Sequence, residues 1–331
     1  MIEIFILIVG FFVAWDIGAN DTANHVGVAI GSRILPYRKA IALVIIFVVL
    51  GAILEGFKNM QTVGKGIILP GPSGINPLAE APGAALGAML AAAIWVFMAT
   101  VFGLPISTSN SMVGGVIGAG LLITMIQPNL GAAIQYSKLV VIAVSWVLNP
   151  LIAAIWALLI SKLITRVLRR IKNIVMFNQV LSGIVIIASA YSAYVMGAND
   201  VGTSTGAIYG SLGGSMQLVA LFGAVALCVG TITFSRRVIH TVGTGITELH
   251  PATAFAAQFA TALTVWSFVQ FGLPVSTSQA IVGGVAGAGL ARGAGMVSKE
   301  KLYKIFAAWV VTPLVTCAVS FGFGWLFLGV V

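Results

Sequence analysis

The segment Gly18-Ala19-Asn20-Asp21 occurs again, 179 residues later, as Gly197-Ala198-Asn199-Asp200. Thr62-Val63-Gly64 returns at the same offset of 179 as Thr241-Val242-Gly243. Farther along, Gly103-Leu104-Pro105-Ile106-Ser107-Thr108-Ser109 returns after 169 residues as Gly272-Leu273-Pro274-Val275-Ser276-Thr277-Ser278. Val113-Gly114-Gly115-Val116 and Gly118-Ala119-Gly120-Leu121 follow it in both copies. Trp146-Val147 with Pro150 matches Trp309-Val310 with Pro313 at an offset of 163. The order is kept and the offset only shrinks, as loop deletions in one copy would produce. The chain therefore reads as two repeats, 1–173 and 174–331, and its fold must accommodate both in one body.

The setting of those repeats is lipid. Only 8% of the 331 residues are charged and 59% are hydrophobic, whereas soluble chains carry roughly a quarter charged residues. A mean hydropathy of +1.08 excludes a soluble enzyme, a secreted disulfide scaffold and a disordered tail. Ten apolar segments run over 2–30, 40–57, 83–104, 111–126, 139–160, 174–203, 217–234, 252–273, 280–291 and 305–331. Most approach the ~20 residues that a helix needs to cross the hydrocarbon core. The short ones, 111–126 and 280–291, follow Gly-Leu-Pro breaks and read as half-helices or re-entrant hairpin arms. The expected fold class is all-α, a polytopic helical bundle of about 10–12 spans with broken helices.

Charge gives the orientation. Alternating the connections puts 31–39, 161–173, 235–251 and 291–304 on one side with 14 of the 17 basic residues; Lys58, Lys65 and Lys138 are left on the other. The positive-inside rule makes the first side cytoplasmic and both termini extracytoplasmic, in a plasma or inner cell membrane. The net charge of +9 is thus topogenic, and no nucleic-acid partner is expected. The first span carries Glu3 and no basic leader, so it reads as a span and not a cleaved signal. Five segments per repeat is an odd number, so the copies are expected upside down relative to each other. Lys58 falls outside while its counterpart Arg237 falls inside. Inverted repeats with interrupted helices characterise secondary transporters, whose sites lie near the midplane where the repeats meet.

Four acids lie in apolar surroundings: Asp16, Asp21, Glu55 and Asp200. An acid at a helix centre costs roughly 2.5–3.5 kcal/mol on translocon scales, so two in matching motifs point to function. Glycine and asparagine around them (Gly18, Asn20, Asn24, Gly27; Gly197, Asn199, Gly202, Gly206) are expected to loosen the backbone. Unwound carbonyls with Asn and Asp oxygens suit a small hard cation such as Na⁺. The plainer reading is an inter-helix hydrogen-bond cluster.

The second motif pair suits the opposite charge. A break followed by Ser107, Thr108 and Ser109, or by Ser276, Thr277 and Ser278, and then a helical run reads as a helix N-terminus. Free N–H groups and the positive dipole end make an anion site there. The plainer reading is ordinary N-capping, which the doubling argues against. Gly114-x-x-x-Gly118 and Gly283-x-x-x-Gly287 predict close helix packing. No Lys or Arg sits in any of the four motifs, so helix ends, hydroxyls and bound cations must meet an anion's charge. Asp21 and Asp200 would repel an anion until cations bind, which predicts cation first and anion second.

Catalysis finds little support. His25, His240 and His250 show no ligand spacing, and GxSxG, HExxH and Walker patterns are absent. An intramembrane protease built on an Asp21–Asp200 dyad is the enzyme alternative, and it leaves the hydroxyl motifs unexplained. Cys228 and Cys317 lie in apolar stretches and read as packing residues. No enzyme activity and no cofactor are expected, apart from Na⁺ as coupling ion.

With those residues in view, the chain resembles the inorganic phosphate transporter family, the Pit-type ion-coupled phosphate symporters. The likeness is carried by Gly18-Ala19-Asn20-Asp21-x-Ala23-Asn24, Gly197-Ala198-Asn199-Asp200 and the two Gly-Leu-Pro-x-Ser-Thr segments, and spans essentially the whole chain. The resemblance implies symport of phosphate with Na⁺ or H⁺ in a membrane-embedded homodimer. It implies a phosphate site lined by Asp21, Asn24, Asp200, Thr203 and the hydroxyl residues Ser107, Thr108, Ser109, Ser276, Thr277 and Ser278. Asn20, Asp21, Asn199 and Asp200 would supply the cation sites, and Glu55 matches an acid found in family members. Departures exist: Asn110 and Gln279 stand where the family often has His, and Gln258 where it often has Glu. Losing those titratable groups favours sodium. The expected function is alternating-access, sodium-coupled phosphate symport, with a proton-coupled, sulfate or metal–phosphate carrier as runner-up.

Overall fold

The computed structural model describes residues 2–31, 33–102, 106–236, 239, 251–291 and 299–327. Gly103-Leu104-Pro105, Thr241-Val242-Gly243, Arg237, His240, His250 and Arg292 lie outside the described residues.

The described chain is helical almost throughout. In the first half α1 is Ile2–Gly31, α2 Tyr37–Glu55, α3 Phe57–Gln61, α4 Pro77–Glu80, α5 Pro82–Phe102, α6 Thr108–Ile126 and α7 Tyr136–Leu168. In the second, α8 is Ile174–Met196, α9 Gly202–Leu212, α10 Met216–Thr233, α11 Pro251–Gln270, α12 Thr277–Leu290 and α13 Lys299–Phe327. Single π-helical turns follow α3 (Thr62–Gly66) and join α8 to α9 (Gly197–Val201). A small antiparallel ribbon pairs Ile68 (β1, Ile68–Leu69) with Ile134 (β2, Ala133–Ile134).

Nine stretches among the described residues are long and apolar enough to cross a membrane, and the fourteen-residue α12 falls short of that length. Exposed Ile46, Leu50, Val147, Leu151 and Leu314 coat the outside, as a lipid-facing surface requires. This is a multi-pass membrane protein.

Helix starts recur at the offsets read from the motifs. Tyr37 and Met216 are 179 apart, Pro82 and Pro251 169, Thr108 and Thr277 169, and Tyr136 and Lys299 163. The halves are interleaved. α1 packs on α10 and α2 on α8; α6 packs on α13 and α12 on α7. Glycine makes those crossings close. A Cβ on Gly18 would strike the Leu227 carbonyl, and one on Gly230 the Trp15 carbonyl. At the sister crossing Gly51 meets Tyr194 and Gly197 meets Val48. Gly114 and Gly118 lie on Pro313 and Cys317, just as Gly283 and Gly287 lie on Pro150 and Ala154. The small-residue stripes are therefore helix-packing faces, as expected from their spacing.

One expectation about the backbone fails. α1 runs as α-helix straight through Gly18–Asn24, and Gly197–Val201 widens by only one π turn. Neither motif is unwound. Tight backbone-to-backbone packing at Gly18 and Gly197 explains those glycines without any loss of helix.

Candidate functional site

The Gly-Leu-Pro break in the second half shows how the sequence aims a helix end. α11 finishes in a Schellman motif: Gly272 adopts φ +61°, its N–H bonds Val269 O at 2.9 Å, and Leu273 N–H bonds Phe268 O at 3.1 Å. Glycine tolerates that φ and proline then forbids continuation. The chain turns, and Ser276 caps α12 by accepting from Gln279 N–H at 3.2 Å. Ser107 caps α6 in the same way through Asn110 N–H at 3.1 Å. These two serines are thus N-caps, the plainer of the two readings. Capping serves one N–H per helix; those of the preceding residues have no partner within the helix.

Other helices hold the caps in place. Asn149 Nδ2, beside the mid-helix Pro150 of α7, donates to Ser276 O at 2.8 Å, and Trp146 Nε1 donates to Pro274 O at 3.1 Å. The two helix ends also touch each other, because Ser109 Oγ donates to Val275 O at 3.0 Å.

Both aspartates reach this meeting point. Asp21 Oδ2 accepts from Thr108 Oγ1 at 3.0 Å, and Asn24 Nδ2 spans Asp21 Oδ1 at 3.4 Å and Ser278 Oγ at 3.1 Å. Asn199 Nδ2 donates to Asp200 Oδ1 at 2.6 Å and to Val275 O at 2.9 Å, and Asn199 Oδ1 accepts from Asn59 Nδ2 at 3.0 Å. Asp21 and Asp200 are fully buried within electrostatic reach of each other. The structure therefore collects Asp21, Asn24, Thr108, Ser109, Asn199, Asp200 and Ser278 around one buried centre contributed by both repeats.

Three predicted residues stand differently. Thr203 spends its hydroxyl on the Asn199 carbonyl one turn back at 2.7 Å. Asn20 turns to α5 and donates to Thr100 Oγ1 at 2.8 Å. Glu55 lies at the end of α2, with its carboxylate taking donors from Lys58, Tyr194, Trp266 and Gln270. An acid with four donors, one of them a cation, is already satisfied without a further ion.

Sequence reasoning missed His25. It lies one helical turn beyond Asp21 and is buried, with Nδ1 2.8 Å from Ser192 Oγ and Nε2 3.8 Å from Asp200 Oδ2. Gln258 supports the same turn, donating to His25 O at 2.5 Å and to Ser189 Oγ at 3.2 Å. The i,i+4 spacing from Asp21, which puts both side chains on one helix face, was the available signal.

Several buried polar atoms in this centre make no hydrogen bond: Asp200 Oδ2, His25 Nε2, Thr277 Oγ1 and both amide atoms of Asn110. Buried polar groups are rarely left unpaired, and functional sites are where exceptions collect. Chemically the set is two-sided. Helix N-termini, hydroxyls and amide N–H groups suit an oxyanion, while two carboxylates and amide oxygens suit small cations.

Comparison with known proteins agrees with that chemistry. The sequence profile described as the phosphate transporter family matches residues 17–182 and 170–320. Proteins named "Putative phosphate permease" are similar from end to end. The one from Thermococcus kodakarensis is 29% identical over 95% of this chain and 95% of its own, and the one from Haemophilus influenzae 30% over 92% and 91%. Inorganic phosphate transporter 2-1, chloroplastic, of Arabidopsis thaliana is 26% identical over 97% of this chain and 71% of its own. A solved structure, the sodium-dependent phosphate transporter, superposes with a TM-score of 0.86 over 100% of both chains at 27% identity.

Proposed function

This chain belongs to the phosphate transporter family, and from that premise we propose that it is a sodium-coupled symporter of inorganic phosphate working by alternating access. One observation carries the reading: the N-termini of α6 and α12 meet in a buried centre beside Asp21 and Asp200. Phosphate would be held by the first turns of both helices, by Thr108, Ser109, Thr277 and Ser278, and by Asn24. Ser107 and Ser276 would act by fixing those turns as caps. Asp21 and Asp200, with Asn199, would hold Na⁺ and so cancel the charge that otherwise repels the anion. The solved relative's sodium dependence supports this choice of ion.

The two halves are proposed as inverted repeats, 1–173 and 174–331, moving as one transport body in a homodimer, with both termini extracytoplasmic. Alternating access then consists of opening the shared centre first to one face and then to the other. The reaction is carriage without covalent change, so no catalytic residue is assigned.

One observation favours a proton-coupled reading: a buried histidine stands against Asp200. Labelled phosphate uptake into proteoliposomes separates the two. An inward Na⁺ gradient at equal pH is compared with an inward H⁺ gradient without Na⁺. Concentrative uptake with Na⁺ alone, competed by phosphate and not by sulfate, is expected. Uptake driven only by protons would transfer the coupling role to H⁺, and no accumulation under either gradient would overturn phosphate symport.

A further inference from the structure

Asp16 lies on α1, five residues before Asp21, and the motif chemistry does not use it. Its side chain is 0% exposed, and neither carboxylate oxygen has a hydrogen-bond partner. It makes no ion pair among the described residues. Its neighbours are oxygen-bearing. Asn20 is one turn along the same helix, and the Thr100 hydroxyl stands beside it on α5. That hydroxyl has no proton for the carboxylate, because it donates to Val96 O at 2.8 Å and accepts from Asn20 Nδ2 at 2.8 Å. Thr100 is in the last turn of α5, where the negative end of the helix dipole favours a cation.

The second repeat supplies an internal control. At the motif offsets of 179 and 169, Asp16 corresponds to Val195 and Thr100 to Val269. Those two valines are fully buried and belong to one apolar cluster. Asn20 corresponds to Asn199, so the amide is kept while the acid and the hydroxyl change together. Both positions are polar in one copy and both apolar in the other. A scaffold that folds with two valines has no packing need for a buried acid, and an intramembrane acid without a partner costs stability.

We propose that Asp16, Asn20 and Thr100 form an additional site for Na⁺, present in the first repeat only. Carboxylate, amide and hydroxyl oxygens are the ligand set of a hard cation, and this site lies within electrostatic reach of Asp21. The inference rests on the sodium-symport reading and adds an ion beside the shared centre.

The test is equilibrium binding of radioactive sodium to purified detergent-solubilised protein without phosphate. Wild type is compared with the double variant Asp16→Val/Thr100→Val, which copies the chain's own second repeat, and thermal unfolding checks that it is folded. Loss of one bound sodium ion per chain is expected. Asp16→Asn, nearly the same shape, gives the same count should the double variant fail to fold. Equal sodium counts in wild type and variants would overturn the proposal. Failure of sodium symport would show separately, as absent Na⁺-driven phosphate uptake by wild-type protein, and the two sodium counts would remain comparable.

Discussion

Thr108 Oγ1 donates to Asp21 Oδ2 across 3.0 Å, tying the first turn of α6 to the aspartate of α1. The related pair, Thr277 and Asp200, makes no such bond, and Thr277 Oγ1 and Asp200 Oδ2 are both buried without a partner. The centre is built from two copies of one motif set, and in this conformation the copies are not equivalent.

That asymmetry separates two substitutions. Thr108→Val removes a buried hydrogen bond and leaves Asp21 Oδ2 without its donor, which typically costs about 1–3 kcal/mol, and should lower the melting temperature of ligand-free protein. Thr277→Val removes a hydroxyl that bonds nothing, so stability should stay within about 0.5 kcal/mol of wild type or rise. The same variant should lose much of the stabilisation that phosphate gives. Thermal unfolding with and without phosphate reads both, and a large loss of ligand-free stability in Thr277→Val would contradict the assignment.

Asp21→Asn should uncouple the two ions. Removing the carboxylate weakens cation binding by about tenfold or more, the equivalent of one charged hydrogen bond, and lessens the repulsion of phosphate. Phosphate uptake measured against Na⁺ concentration should become shallower and shift to higher Na⁺. An unchanged curve would remove Asp21 from the coupling scheme.

His25→Gln keeps a side chain able to face Ser192 but removes the ring nitrogen near Asp200. The expected result is a rise in KM for phosphate of about tenfold, the size of one buried polar contact. Ser192→Ala, which only frees the ring, should give a smaller rise. Equal phosphate KM in wild type and His25→Gln would show that the histidine is packing alone.

Glu55 joins α2 to α8 and α11 through Tyr194, Trp266 and Gln270. Glu55→Gln should therefore slow transport by loosening a junction between the halves, with the number of bound sodium ions unchanged. A sodium count reduced by one would instead make Glu55 an ion ligand.

Glycines of the two kinds should answer oppositely to alanine. Gly287→Ala drives a methyl into the Ala154 carbonyl and should cost about 1–3 kcal/mol through overpacking. Gly183, inside α8, has nothing within 4 Å of an added Cβ, and Gly183→Ala should stabilise by about 0.5–1 kcal/mol. Melting temperatures of the two variants in detergent provide the comparison.

Much of the architecture was legible in the residues, because the polar motifs that meet in the buried centre are short and doubled. Doubling marked Asp21, Asp200 and the hydroxyl turns, and apolar run length marked the spans. The partners of those motifs were not legible. Nothing local says that Asn20 turns to Thr100, 80 residues away, or that His25 meets Asp200, because such contacts depend on which helices cross. The unwound backbone inferred from Gly18 and Gly197 failed for a related reason. Glycine serves close packing and loosened backbone equally well, and only the neighbour across the crossing decides which.

The interleaving of α1 with α10 and of α2 with α8 has a consequence for how the molecule is made. Helices leave the ribosome in order, so α1 and α2 enter the bilayer long before the surfaces they are shaped for have been synthesised. Their glycine-lined faces must wait against lipid, and the first half has no complete set of neighbours to settle on. Assembly is therefore completed from the far end of the chain. The two halves of the chain therefore reach their packed state together.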